Sequence, residues 1–256
     1  MKKTLLTLTC STILAISANA DMLRIEAGGG MWQPQSSGTM SYSETDYGEK
    51  GVYDSTEKTY SQGYFWMFIK HPIPILPNIR AEYVSIEDEG DVTGSFDDYT
   101  VPTGVAKADF TMKQYDIIPY YNILDNTAWI TLDLGLDIKF IQADYEVKGN
   151  IYIDGIIDTS YSDSTSSTIP LGYLRLRVQA PFDIGLEGDI KYITYDGSTI
   201  MDTRVKLDYT MSFVPTLQPA IEVGYRYQSY KIDSDDDKTK MDMKFAGFYA
   251  GIMVRY

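Results

Sequence analysis

Apolar and polar residues alternate one by one along much of this chain, and the alternation is cleanest between residues 130 and 140. There Ile130, Leu132, Leu134, Leu136, Ile138 and Phe140 interleave with Thr131, Asp133, Gly135, Asp137 and Lys139. A period of two belongs to a strand whose faces meet different surroundings, and no soluble edge strand needs so long a wholly apolar face. The same pattern predicts strands at 23–32, 59–70, 79–87, 109–121, 129–145, 167–178, 183–195, 202–213, 221–230 and 245–256. Several match or exceed the roughly 9 to 11 residues that a tilted strand uses to cross a bilayer. Ten strands is an even number, as in single-chain bacterial membrane barrels.

The connections are of two kinds. Residues 33–58, 88–108 and 146–165 are polar and largely acidic, and they are expected to be long loops. Those at 71–78, 122–126, 179–182 and 214–219 are short, and three of them contain proline, which removes a backbone donor and cannot be absorbed by a ladder. Long loops on one side and short turns on the other is the barrel pattern. It puts both termini and the short turns in the periplasm and the acidic loops outside. Phe68, Tyr120, Tyr121, Trp129, Phe182, Phe213 and Tyr256 then form the inner aromatic girdle. Gly28-Gly29-Gly30, inside the first strand, reads as room for a large side chain across a narrow lumen.

The N-terminus changes the picture of compartment. Met1-Lys2-Lys3 is a positive start, Leu5 to Ile16 an apolar core too short to span a bilayer, and Ala18-Asn19-Ala20 an A-x-A cleavage site. Residues 1–20 therefore read as a secretory signal, leaving 21–256 as one barrel domain. Cys10, the sole cysteine, sits within the apolar core and not at its end, which argues against lipidation, and the mature chain has no thiol chemistry. No later window approaches the roughly 18 apolar residues of a transmembrane helix. The 22 tyrosines and 20 glycines suit a barrel, and a net charge of −14 argues against nucleic acid as a partner. The acidic connections imply a solvated outer surface. They are also where divalent cations would bridge to lipopolysaccharide and where an extracellular partner would dock.

The final stretch alternates through Phe248, Ala250, Ile252, Val254 and Tyr256 and stops on an aromatic. It resembles the C-terminal signal strand of bacterial outer-membrane β-barrels. That resemblance implies recognition by the barrel-assembly machinery, with Phe248, Ile252, Val254 and Tyr256 as the assembly signal and with closure against residues 23–32.

Candidate chemistry lies on the polar faces. Taking the charged face of each strand as lumenal puts the bases Arg24, Arg80, Lys139, Arg175, Arg177, Lys191, Arg204, Lys206, Arg226 and Arg255 inside. The acids Glu26, Glu82, Asp116, Asp133, Asp137, Glu187, Asp189, Asp208 and Glu222 join them. Charges deprived of water persist only when paired, and these nearly cancel, so the expectation is a salt-bridged, largely filled lumen. A selective pore would carry an excess of one sign, and a narrow channel for small solutes is the alternative. Residues 233–237 have oxygen ligands at calcium-like spacing, but Lys238 and Lys244 stand where a calcium loop needs glycine and a bidentate glutamate, so neither a metal nor a cofactor is expected. The single histidine, His71, lies in a proline turn on the side opposite the long loops. A general base there cannot reach an outer substrate, and the chain departs at that residue from the ten-stranded omptin proteases. The expectation is therefore a non-enzymatic protein.

Glu26-Ala27-Gly28-Gly29-Gly30-Met31-Trp32, the turn from His71 to Asn78 and the terminal strand together resemble a little-characterised family of small outer-membrane β-barrels with a GlyGly near the mature N-terminus. The resemblance spans the mature chain and implies architecture without a substrate. The fold class expected is all-β: a closed antiparallel transmembrane β-barrel of ten strands in the outer membrane, with a structural or surface-interaction role.

Overall fold

The computed structural model describes residues 23–43, 50–73, 75–153, 155–213, 216–234 and 239–256. The expected signal segment 1–20 and residues 235–237 of the calcium-like run lie outside them. The described residues form strands β1 (Arg24–Ser43), β2 (Lys50–Ser55), β3 (Gln62–Lys70), β4 (Asn78–Ser95), β5 (Thr100–Thr127), β6 (Ile130–Ile153), β7 (Ile156–Ala180), β8 (Ile184–Tyr195), β9 (Ser198–Thr210), β10 (Gln218–Ser234) and β11 (Thr239–Arg255). Every neighbouring pair is antiparallel. β11 returns to β1 from Glu26↔Arg255 to Tyr42↔Thr239, so the sheet closes on itself and leaves no strand edge at the seam.

Eleven strands build the ring where ten are expected. The difference lies between β1 and β4, where β3 pairs with both at the end that holds the termini and β2 pairs with both at the opposite end. We call these the near and far ends. The ladder breaks between β2 and β3 at Thr56, whose N–H and hydroxyl both donate to the Glu89 carbonyl, and at Glu57, whose φ is 57°.

Among the described residues, most of each expected long loop is strand. β1 runs on to Ser43, β4 to Ser95, and β6 and β7 pair as far as Ile153↔Ile156. Their composition misleads because the period of two persists while its polarity inverts. On β6, residues 130–140 put apolar side chains outward and Asp133, Asp137 and Lys139 inward. From residue 141 on, Ile141, Ala143, Tyr145 and Val147 turn inward and Gln142, Asp144, Glu146 and Lys148 outward. β4, β5 and β11 invert at matching heights, near Val84, Gln114 and Phe245. The near half therefore carries charges inside and an apolar outer belt. The far half is an ordinary β-barrel with a hydrophobic core of Trp32, Ile86, Phe110, Val147, Tyr230, Met243 and Phe245.

The short connections also move. Residues 122–126 belong to β5, and the turn is Ala128-Trp129, both at positive φ (52° and 68°). Phe182-Asp183 and Asp196-Gly197 turn in the same way, the two-residue geometry that suits the twist of a hairpin. Within the expected girdle, Tyr121, Trp129, Phe182, Phe213 and Tyr256 are exposed at the near end. Phe68 and Tyr120 are buried inside, because their positions on β3 and β5 have inward parity. Gly28 faces Trp66 in register, and a Cβ there would lie 2.8 Å from the indole. The room it makes is for a ring on the neighbouring strand, not one across the lumen. Gly224 does the same beneath Tyr249.

Strand heights differ around the ring. β5 has 28 residues and β7 25, whereas β8 and β9 have 12 and 13. β8 covers β7 only from Gly172 to Ala180. The wall therefore has a notch above the Asp196-Gly197 turn, between the upper part of β7 and β10.

Candidate functional site

Alternation alone sends a set of charged side chains into the near half of the barrel. Ten buried acids meet ten buried bases there among the described residues, while an eleventh buried acid, Asp88, stands apart in the far half. Their bonds run across the ring as well as along its wall. Arg204 on β9 donates to Glu82 on β4, opposite it, at 2.5 Å, and to Asp189 on β8 at 3.1 Å. Lys191 on β8 reaches Glu82 at 2.7 Å and also Asp116 on β5. Lys139 donates to Asp116 at 2.8 Å and approaches Asp202 at 3.4 Å, which in turn accepts from Arg226 at 2.7 Å.

A second layer lies towards the near end. Arg175 bridges Asp133 (2.6 Å) and Glu187 (2.7 Å), and Arg177 bridges Asp208 (2.5 Å) and Glu187 (3.3 Å). Arg80 pairs with Glu82 at 2.5 Å, and Lys206 sits 3.3 Å from Glu187 and 3.4 Å from Glu222. Arg255 joins Glu26 (3.0 Å) to Asp208 (2.8 Å). Arg24 donates to Glu26 at 2.8 Å but is 31% exposed, since it lies at the near rim. Glu222 also accepts from the Tyr64 hydroxyl at 2.7 Å and the Trp66 indole at 3.0 Å. The Lys206 ammonium stands 4.5 Å from the Trp66 ring centre. A void among Trp66, Arg80, Glu187, Arg204 and their neighbours measures about 10 Å³, close to the least space that holds one water molecule.

Asp137 differs from the other inward charges. It is fully buried beside this network, and neither of its carboxylate oxygens has a hydrogen-bond partner. Asp202, fully buried, has the same inward parity as Arg204, Lys206 and Asp208, yet it falls at the edge of the alternating run and so escapes a reading of that run alone. Lys70 pairs with Asp125 at 2.5 Å, a contact hidden in sequence because 122–126 reads as a turn.

Above the ion pairs the lumen widens into a cavity of about 410 Å³. Its wall includes Met40, Phe110, Met112, Tyr145, Tyr230 and Met241, with Asp97 and Asp98 of the β4–β5 turn at its mouth. Tyr42 donates to Asp97 at 3.1 Å and Tyr161 to Asp98 at 2.8 Å. Tyr161 stands beyond the apolar belt, and burial together with the bond to Asp98 pushes its phenol well above the usual range, so it remains a donor. No sequence signal for this cavity is separable from the polarity inversion that builds it.

The remaining candidates are placed as follows. Phe248, Ile252, Val254 and Tyr256 face outward from β11 and are exposed. His71 ties its own turn: its N–H donates to Asn78 at 3.0 Å, its Nδ1 accepts from the Ile73 N–H, and Nε2 thereby donates to the Pro77 carbonyl at 3.0 Å. Among the described residues, no three His, Cys, Asp or Glu side chains are gathered as a metal site.

No family model and no curated protein matches the chain. Among solved structures it is similar to the outer membrane protease OmpT from Escherichia coli, with a TM-score of 0.53 and 11% identity over 93% of this chain and 97% of that one. It also aligns with the translocator domain of the autotransporter NalP from Neisseria meningitidis (TM-score 0.46, 10% identity, 100% and 96% covered). A third alignment is with the attachment invasion locus protein Ail of Yersinia pestis (TM-score 0.34, 10% identity, 92% and 100% covered). With its exposed apolar belt, the chain has the fold of a transmembrane β-barrel, which the outer membrane protease also has. The expectation that it is no enzyme is overturned as an inference from architecture and a misplaced histidine, because a protease uses a barrel of this fold. At 11% identity that likeness shows the fold alone and establishes no activity.

Proposed function

We propose that this outer-membrane barrel is a closed-bottomed receptacle at the cell surface, sealed across its membrane-spanning half and open at the far end. The observation that carries this reading is the set of ion pairs that cross the ring, above all Arg204 with Glu82 and Lys191 with Glu82 and Asp116, around a void of about 10 Å³. Desolvated charges are held in place by their partners, and removing either partner strands the other. A permeant ion would have to displace several pairs at once. β2 and β3 count as one stave of a ten-stave membrane barrel in this reading, and the chain loses residues 1–20 on export. The termini and tight near-end turns face the periplasm and the tall strands stand outside, where they meet ligands or partners.

Two measurements test this. Purified protein in planar bilayers is expected to give no unitary conductance over a wide voltage range, and discrete conductance steps would establish the narrow-channel alternative instead. The mature chain has no cysteine, so D158C and F182C report topology by labelling of intact cells with a membrane-impermeant maleimide. Asp158 is expected to label and Phe182 to be protected, and the opposite result would invert the orientation.

A further inference from the structure

We propose that the far-half cavity binds a small hydrophobic cation, its apolar body among the methionines and aromatic rings and its positive charge at Asp97 and Asp98. The proposal rests on the reading of the barrel as an outward-facing receptacle.

The size fits. A volume of about 410 Å³ falls within the range of roughly 300 to 1,000 Å³ seen for small-molecule sites. The lining fits an apolar body, since Met40, Met112 and Met241 are adaptable contacts and Phe110, Tyr145 and Tyr230 are flat ones.

The charge selects the head group. Among the described residues, two carboxylates and no lysine, arginine or histidine line the cavity. An amphiphile with an anionic head would set its charge beside Asp97 and Asp98 with no base to answer it. A cation meets both carboxylates beside a cluster of aromatic rings, in which Phe96 and Tyr99 stack with centroids 4.8 Å apart and Tyr161 lies 4.7 Å from Tyr99. Carboxylates beside π faces favour ammonium groups. The bonds from Tyr42 and Tyr161 hold these acids in position without neutralising them.

Two further observations point to an occupant. Tyr230 lines the cavity and is 1% exposed, and its hydroxyl has no hydrogen-bond partner. A buried hydroxyl left unpaired carries a desolvation cost that a ligand acceptor or a ligand-bound water would relieve. The wall also offers a side entrance. Thr165, Ser167 and Ile169 of β7 line the cavity above the point where β8 stops covering that strand, and Ile232 of β10, just above the last β9 pair at Lys231, lines the other side of the notch. Exposed Tyr192 and Tyr195 stand at its sill, the residue type that marks the membrane–water boundary. An amphiphile lying at that boundary reaches the cavity without crossing the rim.

The test uses the full mature chain in phosphatidylcholine nanodiscs and three probes with one apolar body: phenylbutyltrimethylammonium, phenylbutanol and phenylbutyrate. Calorimetric titration, with empty nanodiscs subtracted, is expected to show the cation binding at least about tenfold more tightly than the anion. The D97N/D98N double variant, which leaves the wall intact, is expected to lose most of that preference while still binding phenylbutanol. A143F, which fills the cavity, is expected to weaken all three, with unchanged heat-modifiable migration on gels reporting that the barrel has folded. Equal binding of cation and anion, retention of the preference in D97N/D98N, or no binding of the cation would each overturn the proposal. Cation binding by a barrel that also conducts ions would overturn the sealed-barrel reading and leave this one standing. Silent bilayers with no cation binding would do the reverse.

Discussion

On β6, Lys139 points into the barrel and Phe140 out to the surrounding belt, whereas six residues later Tyr145 points in and Glu146 out. Backbone, hydrogen-bond ladder and parity are the same in both places, and what changes is the medium on each side. In the near half the outer medium is lipid, so the wall is apolar and the interior holds the charges. In the far half the outer medium is water, so Asp144, Glu146 and Lys148 face it and Val147 and Ile151 fill the core. The near half gains its outward fit from lipid and must satisfy its interior by pairing. The far half is held by apolar burial, at roughly 25 cal/mol per Å².

The largest expected effect sets a near-half pair against a far-half pair. Arg204 is the base that pairs with Asp189 and also the cross-ring donor to Glu82. R204A leaves Asp189 buried without a base and should lower unfolding stability by about 3–5 kcal/mol. K148A breaks ion pairs with Asp109 and Glu146 that lie in solvent and should leave the denaturant midpoint unchanged. Similar losses from the two variants, measured in lipid by denaturant titration, would erase the distinction between the halves.

The outward face gives the next contrast. Leu134 is 52% exposed within the apolar belt, and L134R should cost about 2–4 kcal/mol, as basic residues do at the lipid face of a barrel near the bilayer midplane. Gln142 lies on the same face of the same strand above the inversion, and Q142R should be tolerated. If L134R is tolerated too, the belt does not meet hydrocarbon at that height.

The contrast also explains what could be read in the chain before its fold was known. Strands with an apolar outer face, such as 130–140, declare themselves, and their polar parity marks Asp133, Lys139, Arg175, Arg177 and Arg204 as a set. The far half carries the same period with Ile141, Ala143, Tyr145 and Val147 in the opposite phase. Against a rule that polar stretches are loops, its outward Asp, Glu and Lys look like connections. Asp202 is lost at the margin of its alternating run, and the Lys70 pair is lost because Asp125 lies in a segment that reads as a turn. Phe68 and Tyr120 show the reverse error, because closeness to a strand end says nothing about parity. The Ala128-Trp129 turn carries none of the usual turn residues, so neither sequence pattern nor propensity locates it.

Asp88 sharpens the comparison from the far side. This carboxylate is buried in the far half, and hydroxyl groups satisfy it instead of a base: Ser36 donates at 2.5 Å, Tyr53 at 2.7 Å and Ser55 at 3.1 Å. Hydrogen bonds to a charged group contribute about 1.5–3 kcal/mol each, so Y53F should lower stability by an amount in that range, less than the loss of a base in the near half. A loss as large as that of R204A would show the far half to depend on polar pairing as heavily as the near half does.

The smallest effect concerns two turns of one geometry at opposite ends. At the far end Asp196-Gly197 supplies a glycine at φ 76°, where a side chain would be strained, while at the near end Ala128 and Trp129 hold φ values of 52° and 68° with side chains attached. A left-handed conformation costs a non-glycine L-residue about 1–2 kcal/mol, partly offset by the greater backbone freedom that glycine loses on folding. Ala128 is exposed, so A128G removes strain without opening a cavity, and it should raise stability by about 0.5–1 kcal/mol. Trp129 is left in place because its exposed ring lies at the near rim, where an interfacial aromatic anchors the barrel. A stabilised A128G would mean that the near end tolerates a strained turn in order to keep that ring at the boundary. A destabilised one would mean that the Ala128 methyl contributes contact with the headgroup region that exceeds the strain.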